Sequence, residues 1–473
     1  MRDWAASTRL CHDTSPRSLN AGALSDVLIW VMSAVIPKAK QACLFSSFSA
    51  WLTLYRQLFI WIVAFNVTAL VLGATGVWGW ASRHRVQFAV TNTLITVLTR
   101  NEVCSRILYM VLVKLVTVGT PEGLGTLWAP CWLRNLLTNF LLHFGGIHSG
   151  CGISSLIWLV YSAVHLASDH VLYTVWVKIF GYALMSLVVS SCVSATPVLR
   201  FRYHNLFEHT HRYLGWSSLA VMLIFIILLY GGPTYDWRSF LNTYWLWLNV
   251  VAIVLVALPW CCVAPVTVVS EVPASKRITL LKFPGYVRTG LYGRISRGFL
   301  TEWHVFGCFS QDPQEGCHYM ICSAVGGFTK ALVEQPPEQL YTRLIKFPGF
   351  SYCHRMYHSG VAICTGAAIG VFISLFSNKG LTNFSLIWVG SKFEETYGSA
   401  IVSMLRKGCP EDKLTLYDTS VQGRPNLVSL AAEAYHQQKA EVVFCVSNLI
   451  GTLSIVQGCR QQGIPAFGPI WDA

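Results

Sequence analysis

Arg200-Phe201-Arg202-Tyr203-His204-Asn205-Leu206-Phe207-Glu208-His209-Thr210-His211-Arg212-Tyr213-Leu214-Gly215-Trp216 runs directly into an apolar stretch, Ser217 to Tyr230. Arginines, histidines and aromatics crowd the mouth of an apolar helix where a chain enters a bilayer. Histidines at such a mouth are also the usual raw material of a haem or redox-metal site. Either reading asks for further membrane helices around this stretch.

The composition supplies them. The chain has 473 residues, 53% apolar and only 12% charged, against about 25% charged for a soluble domain. The net charge of +13 fits Lys and Arg held in cytoplasmic loops. No basic run resembles a nucleic-acid patch, so the expected partners are the lipid bilayer and a small molecule, and no nucleic acid. The 16 cysteines form no CxxC, and several, such as Cys261 and Cys262, sit in apolar runs. They read as reduced, buried small hydrophobes. The polar segment Met1 to Gly22 lacks an apolar core with a small-residue cleavage site, so no cleaved signal peptide is expected.

A span needs about 20 apolar residues. Candidates are 57–80, 87–99, 138–160, 172–194, 214–231 and 243–266, about six spans. The run 103–118 carries Arg106 and Lys114 and reads as interfacial. Six spans put both chain ends on one side, with Arg100, Arg106, Lys114, Arg134, Arg200, Arg202 and Arg212. That side is expected to be cytoplasmic; Arg83 and Arg85 fall opposite. The expectation is an integral, multi-pass membrane protein with cytoplasmic C-terminal domains.

After Pro265 the texture changes. Short β-rich runs such as Ile278–Leu281 and His318–Ile321, set between Gly and Pro turns, predict a small antiparallel barrel. From 357 onward, strands at Val361–Thr365, Leu386–Val389, Leu414–Tyr417 and Val442–Val446 alternate with helical pieces such as Leu427–Gln438, which predicts an α/β layer on a parallel sheet. The expected fold is therefore multi-domain: a polar segment at 1–50, an α-helical transmembrane bundle at 51–267, an antiparallel β-barrel at 268–352 and an α/β nucleotide-binding domain at 353–473.

Val361-Ala362-Ile363-Cys364-Thr365-Gly366-Ala367-Ala368-Ile369-Gly370 is a strand entering a glycine turn and a helix, the arrangement that brings backbone N–H groups to a pyrophosphate. A tight strand-to-helix turn needs glycine in any case, so both explanations stand. Glu302-Trp303-His304-Val305-Phe306, behind Arg294-Ile295-Ser296-Arg297, could cover a flavin ring and pair its phosphates, or be an ordinary barrel strand. Gly326-Gly327-Phe328-Thr329-Lys330 is a phosphate turn or a hairpin. Arg424, in Gly423-Arg424-Pro425-Asn426, could hold a 2′-phosphate or be a solvated loop residue.

The order of these motifs, ending in Gly463-Ile464-Pro465-Ala466-Phe467-Gly468-Pro469-Ile470-Trp471, resembles the ferric reductase and NADPH oxidase superfamily. Within it the chain looks most like fungal TmpA-type integral membrane proteins, over roughly residues 50–473. The resemblance implies an FAD-binding barrel and an NAD(P)H-binding α/β domain behind a membrane bundle. By it, Trp303, His304 and Phe306 match a flavin-stacking motif, with Val305 in place of a proline, and Thr329 matches the flavin-phosphate turn. Thr365, Gly366, Ala367, Ala368 and Gly370 match the nicotinamide-nucleotide loop. Arg424 and Pro425 match the adenosine-end motif, and Trp471 the aromatic that covers the flavin and moves aside for nicotinamide. Ala368 replaces a glycine and Ile373 a frequent proline.

The haem-carrying relatives hold two haems with paired histidines 13 or 14 residues apart in the third and fifth spans. Here His148 resembles an outer-leaflet ligand, but Arg134 stands 14 residues before it. His211 resembles an inner-leaflet ligand, but Ile224 and Phe225 follow at that interval. The two are expected at different depths, so no metal site and no haem are expected. His204, Glu208 and His211 share a helix face, with Glu208 expected to pair with Arg212. The expected function is a membrane-bound flavoprotein oxidoreductase passing electrons from NADPH, or NADH, through FAD to a small-molecule acceptor; the resemblance implies a setting in fungal secondary metabolism or a developmental signal. The alternatives are a haem-dependent ferric reductase or NADPH oxidase, and a non-catalytic membrane scaffold with a degenerate nucleotide site.

Overall fold

The structure is a computed structural model that describes residues 52–118, 126–168, 173–230, 237–376 and 383–469. The polar segment at 1–50 and Trp471 lie outside these residues. Eight helices organise the N-terminal half: α1 (Leu54–Ala74), α2 (Arg85–Leu98), α3 (Glu102–Val116), α4 (Cys131–His143), α5 (Gly145–Ser168), α6 (Val175–Ser194), α7 (His204–Tyr230) and α8 (Tyr244–Cys261). Among the described residues five of them, α1, α5, α6, α7 and α8, are long and apolar enough to cross a membrane. The sixth expected span is α2, whose 14 residues reach about 21 Å, short of a hydrocarbon core of about 30 Å.

Small and amide side chains hold the bundle together. Gly146 of α5 lies against α1 so closely that a Cβ would stand 2.2 Å from the Tyr55 carbonyl oxygen. Asn66 Oδ1 on α1 accepts from Asn92 Nδ2 on α2 and from Trp158 Nε1 on α5, both at 2.9 Å. Such bonds contribute about 0.6 kcal/mol each in a bilayer, and they fix which faces meet. The expected third span, 138–160, is corrected. The helix breaks at Phe144 and restarts at Gly145, because Gly145 and Gly146 are the residues that let the new helix lie on α1.

The two helices flanking that region dock on the C-terminal half. On α3, Arg106 Nη1 donates to the Lys346 carbonyl at 3.0 Å, and Tyr109 meets Tyr352 with ring centroids 6.3 Å apart. On α4, Arg134 grips Glu441 with both terminal nitrogens at 2.8 Å and donates to the Met356 carbonyl at 3.0 Å. Its guanidinium lies 5.5 Å from the Tyr357 ring centre.

The barrel follows α8 with no linker. Its strands are β1 (Val263–Thr267), β2 (Val269–Glu271), β3 (Ile278–Pro284), β4 (Leu291–Ser296), β5 (His304–Phe309), β6 (Cys317–Ser323) and β7 (Gln339–Arg343). They run in the order β1-β7-β4-β5-β6-β3-β2, and every pairing is antiparallel. The two edge strands are consecutive in the chain, joined by Val268 alone, so the chain itself bends the sheet toward closure. Leu281, Phe283, Ile295, Cys308, Met320 and Leu340 fill its interior. Helix α9 (Gly327–Glu334) lies beside it.

The C-terminal layer is a five-stranded sheet of β8 (Gly360–Thr365), β9 (Phe384–Gly390), β10 (Leu414–Asp418), β11 (Val442–Val446) and β12 (Ala466–Phe467). The order is β10-β9-β8-β11-β12, all parallel. Every residue of β9 and β11 is buried, as both-face coverage requires. Helices α10 (Ile369–Phe376), α11 (Leu427–Gln437) and α12 (Leu449–Gln461) cover it.

The Arg134–Glu441 pair gives a testable pH dependence. Burial opposes ionisation of Glu441, but hydrogen bonds from Arg134 and the His358 N–H outweigh it and hold the carboxyl below its ordinary value of 4.5. A depressed folded pKa contributes stability above that value and loses it as pH falls further. Thermal unfolding in detergent should therefore weaken on acidification below about pH 4.5, and Glu441→Gln should flatten that slope. Arg134→Ala, which leaves Glu441 half-buried and unpaired, should cost about 2–3 kcal/mol at neutral pH.

Candidate functional site

The strand order of the parallel sheet reverses between β8 and β11, and ligands of such sheets bind outside the carboxyl ends of the strands at that point. Thr365 ends β8 and Ser447 follows β11, with their hydroxyl oxygens 2.7 Å apart across the crevice. Gly366 takes φ +59°, a left-handed conformation costly for any residue with a Cβ. Its carbonyl accepts from Trp388 Nε1 at 2.8 Å, which fixes the turn from behind. Ala367 and Ala368 continue as a single 3₁₀ turn packed on the core. Gly370 is buried, and a Cβ there would meet Ile321 of β6 at 3.3 Å. Opposite it, a Cβ on Gly307 of β5 would stand 2.4 Å from the Gly370 carbonyl oxygen. Gly370 thus seats α10 on the barrel, and the glycine with left-handed backbone is Gly366. Ile373 is fully buried under the same helix.

Ser447 and Asn448 were not foreseen. Asn448 caps α12 by accepting from the Gly451 N–H at 2.8 Å. Its signal was present in the sequence: a capping residue between an apolar strand and a helix. At the ends of β9 and β10 an open cleft of about 360 Å³ is lined by Lys392, Phe393, Glu395, Arg406 and Asp418, among others. The Lys392 backbone has φ 47°, and its N–H donates to the Asp418 carboxylate at 3.2 Å. Arg424 and Pro425 lie on the loop after β10, with Arg424 exposed.

On the barrel, the residues expected around a flavin divide. Trp303 is only 2% exposed. The Arg343 guanidinium lies 5.2 Å from its ring centre and the Trp260 ring 5.9 Å away, so it is packed between barrel and bundle and is not an open stacking face. His304 stacks on Phe328 at 4.2 Å, while Phe306 leans on the barrel core. Thr329 folds back onto its own turn, accepting from the N–H groups of Val325 and Gly326 at 3.1 Å. Gly326 and Gly327 leave open space where side chains would stand, so the first turn of α9 is approachable. Arg294 is held by the Glu102 carboxylate and lies 5.6 Å from the Phe347 ring centre. The distance between Trp471 and these groups falls outside the described residues.

The histidines in the bundle require a correction. His148 lies one turn inside α5 and His211 two turns inside α7, both at the barrel end, and their ring centroids are 6.2 Å apart. The expected difference in depth came from starting the third span too early. His148 Nδ1 faces the Thr96 carbonyl at 2.9 Å. His211 Nδ1 faces the Ser191 carbonyl at 3.2 Å and its hydroxyl at 3.0 Å. Those carbonyls favour N–H at Nδ1 and leave Nε2 as the free lone pair on each ring. Glu208 lies 3.7 Å from His204, and Arg212 Nη1 has no hydrogen-bond partner among the described residues, so the expected Glu208–Arg212 pair is not formed. Among the described residues no group of three or more His, Cys, Asp or Glu side chains could hold a metal ion.

Comparison with known proteins does not bear out the family resemblance drawn from the motif order. A model of the adenylate-forming reductase 03009 C-terminal domain matches residues 350–473. Adenylate-forming reductase 03009 of Coprinopsis cinerea is 28% identical over 435 residues, 89% of this chain and 40% of that protein. Adenylate-forming reductase 06235 of the same fungus is 27% identical over 434 residues, again 89% and 40%. The chain thus spans less than half the length of these relatives. The resemblance to TmpA-type members of the ferric reductase and NADPH oxidase superfamily is corrected accordingly. Among solved structures, a phthalate dioxygenase reductase is 9% identical with TM-score 0.35, covering 44% of this chain and 68% of that one. A flavohemoglobin from Malassezia yamatoensis with bound FAD and heme is 12% identical with TM-score 0.36, covering 82% and 99%. Similarity at that level carries no argument about function.

The contact between α10 and the barrel can be tested directly. Gly307→Ala should destabilise the protein by about 1–3 kcal/mol through overpacking against Gly370. Gly366→Ala should cost about 1–2 kcal/mol through backbone strain. Chemical denaturation in detergent measures both.

Proposed function

We propose that this chain is a membrane-embedded oxidoreductase in which NAD(P)H, bound by the α/β layer, reduces FAD carried by the barrel. The electrons then pass to a small-molecule acceptor. The carrying observation is that the left-handed turn at Gly366 sits where the strand order of a parallel sheet reverses and leads straight into α10, packed glycine to glycine on β5. That contact holds the crevice proposed for the nucleotide against the barrel. The expectation of an oxidoreductase accords with the reductase names of both relatives, and the five apolar helices support a multi-pass bundle. The barrel and α/β layer then lie on the cytoplasmic side, where the arginines gather.

The chain's own residues have distinct tasks. The first turn of α9, opened by Gly326 and Gly327, offers N–H groups to flavin phosphate. His304, Val305 and Phe306 line the strand beside it. Thr365, Gly366 and Ser447 frame the approach of the nicotinamide half, and Trp471 is assigned to cover the ring. FAD supplies hydride acceptance and electron release when bound. At the end of β9, where an NAD-selective sheet carries a carboxylate for the ribose, this chain has Gly390, Ser391 and Lys392. With Arg406 in the cleft and Arg424 on the next loop, the adenosine end favours a 2′-phosphate, hence NADPH.

The test is anaerobic addition of NADPH to the purified full chain: the flavin absorption band should bleach. A protein that retains no flavin, or whose flavin ignores both nicotinamides, would leave the scaffold alternative standing. Arg424→Ala should raise the KM for NADPH about tenfold or more, the loss of one charge-assisted bond, with little change for NADH. A second reading rests on the 6.2 Å His148–His211 pair, whose two imidazoles would be the residues to hold a haem iron if one were bound. It predicts a Soret band in the wild type that His148→Leu and His211→Leu each abolish.

A further inference from the structure

The seam between bundle and barrel carries more positive charge than its contacts use. Glu102, at the start of α3, binds Arg294 of β4 and, at 2.6 Å, Arg343 of β7. Arg212 stands near enough to Arg343 to act on it as a like charge, and Arg100 does the same to Arg294. Arg212 Nη1 and Arg343 Nε are buried without a hydrogen-bond partner among the described residues. A guanidinium N–H buried and unpaired is costly, and a phosphate oxygen is its natural acceptor.

The same level of the molecule is ringed by aromatics. Tyr213, Trp216, Trp260 and Phe299 form an unbroken edge-to-face chain with centroids 5.6, 5.2 and 5.7 Å apart. Phe299 and Leu300, on the loop between β4 and β5, are 43% and 61% exposed, and the Tyr213 hydroxyl reaches the Leu300 carbonyl at 3.4 Å. Exposed apolar side chains continuous with a Trp/Tyr belt mark the depth of lipid headgroups.

We infer that this seam binds the phosphate of an anionic phospholipid: Arg212 grips the headgroup, with Arg343 behind it adding positive charge, while Phe299 and Leu300 dip the barrel into the same leaflet. The occupant is a lipid because the unpaired guanidinium groups lie beside the aromatic belt at the ends of α7 and α8. The inference rests on the membrane-embedded reading above.

The full chain is reconstituted in nanodiscs of equal parts phosphatidylcholine and phosphatidylserine, and the lipid retained on mild delipidation is quantified. Phosphatidylserine should be enriched in the wild type. Arg212→Gln should reduce that enrichment about fivefold, the worth of one arginine at an anionic surface, and high salt should reduce it in the wild type. Phe299→Ser with Leu300→Ser should lower it while leaving α7 unchanged. Equal retention of both lipids, or enrichment indifferent to salt and to Arg212→Gln, overturns the inference. So does loss of enrichment on adding pyrophosphate or FAD, which would assign the site to a soluble phosphate. If alkaline carbonate instead releases the chain from membranes, the embedded reading itself fails.

Discussion

One carboxylate joins the two halves of this protein. Glu102 begins α3 and is almost wholly buried between arginines from two strands of the barrel. Removing a carboxylate from water costs several kcal/mol, and here two guanidinium groups offset it. Their own positions are fixed by aromatic faces: Phe347 for Arg294, Trp260 and Trp303 for Arg343. Because Trp260 belongs to α8, the ion pairs and the aromatic faces form one unit. It fixes where β4 and β7 stand relative to the bundle, and through them β5.

A second tie acts on the other domain. Arg134, on the helix that precedes α5, reaches 307 positions along the chain to Glu441, just before β11. The crevice between β8 and β11 is therefore held from the helical bundle as well as through the barrel. Ion pairs made by α3 to the barrel and by α4 to the α/β layer orient it. The glycine contact between Gly307 and Gly370 closes the triangle.

The sequence was legible where structure is local. Val442–Val446 and the helix from Leu427 were readable because an apolar run or a 3.6-residue period determines them. The turn at Gly366 was readable because only glycine fits it. Hydropathy could not see the break at Gly145, since an apolar window runs across it, and this one error moved His148 along its helix by about 10 Å. Trp303 matched a motif, yet its environment depends on Trp260 and Arg343, which lie far away in sequence. Motif order described the architecture well and the family poorly, as expected when many unrelated proteins share one arrangement of barrel and α/β layer.

The last long apolar helix, α8, ends at Cys261 and the first barrel strand begins at Val263. A tether of one residue has no slack. The barrel therefore continues the line of α8 directly, and its first strand takes its position from the end of that helix. The α/β layer enters later in the chain and has no such covalent junction with the bundle: the Arg134–Glu441 pair and the Gly307–Gly370 contact set its place.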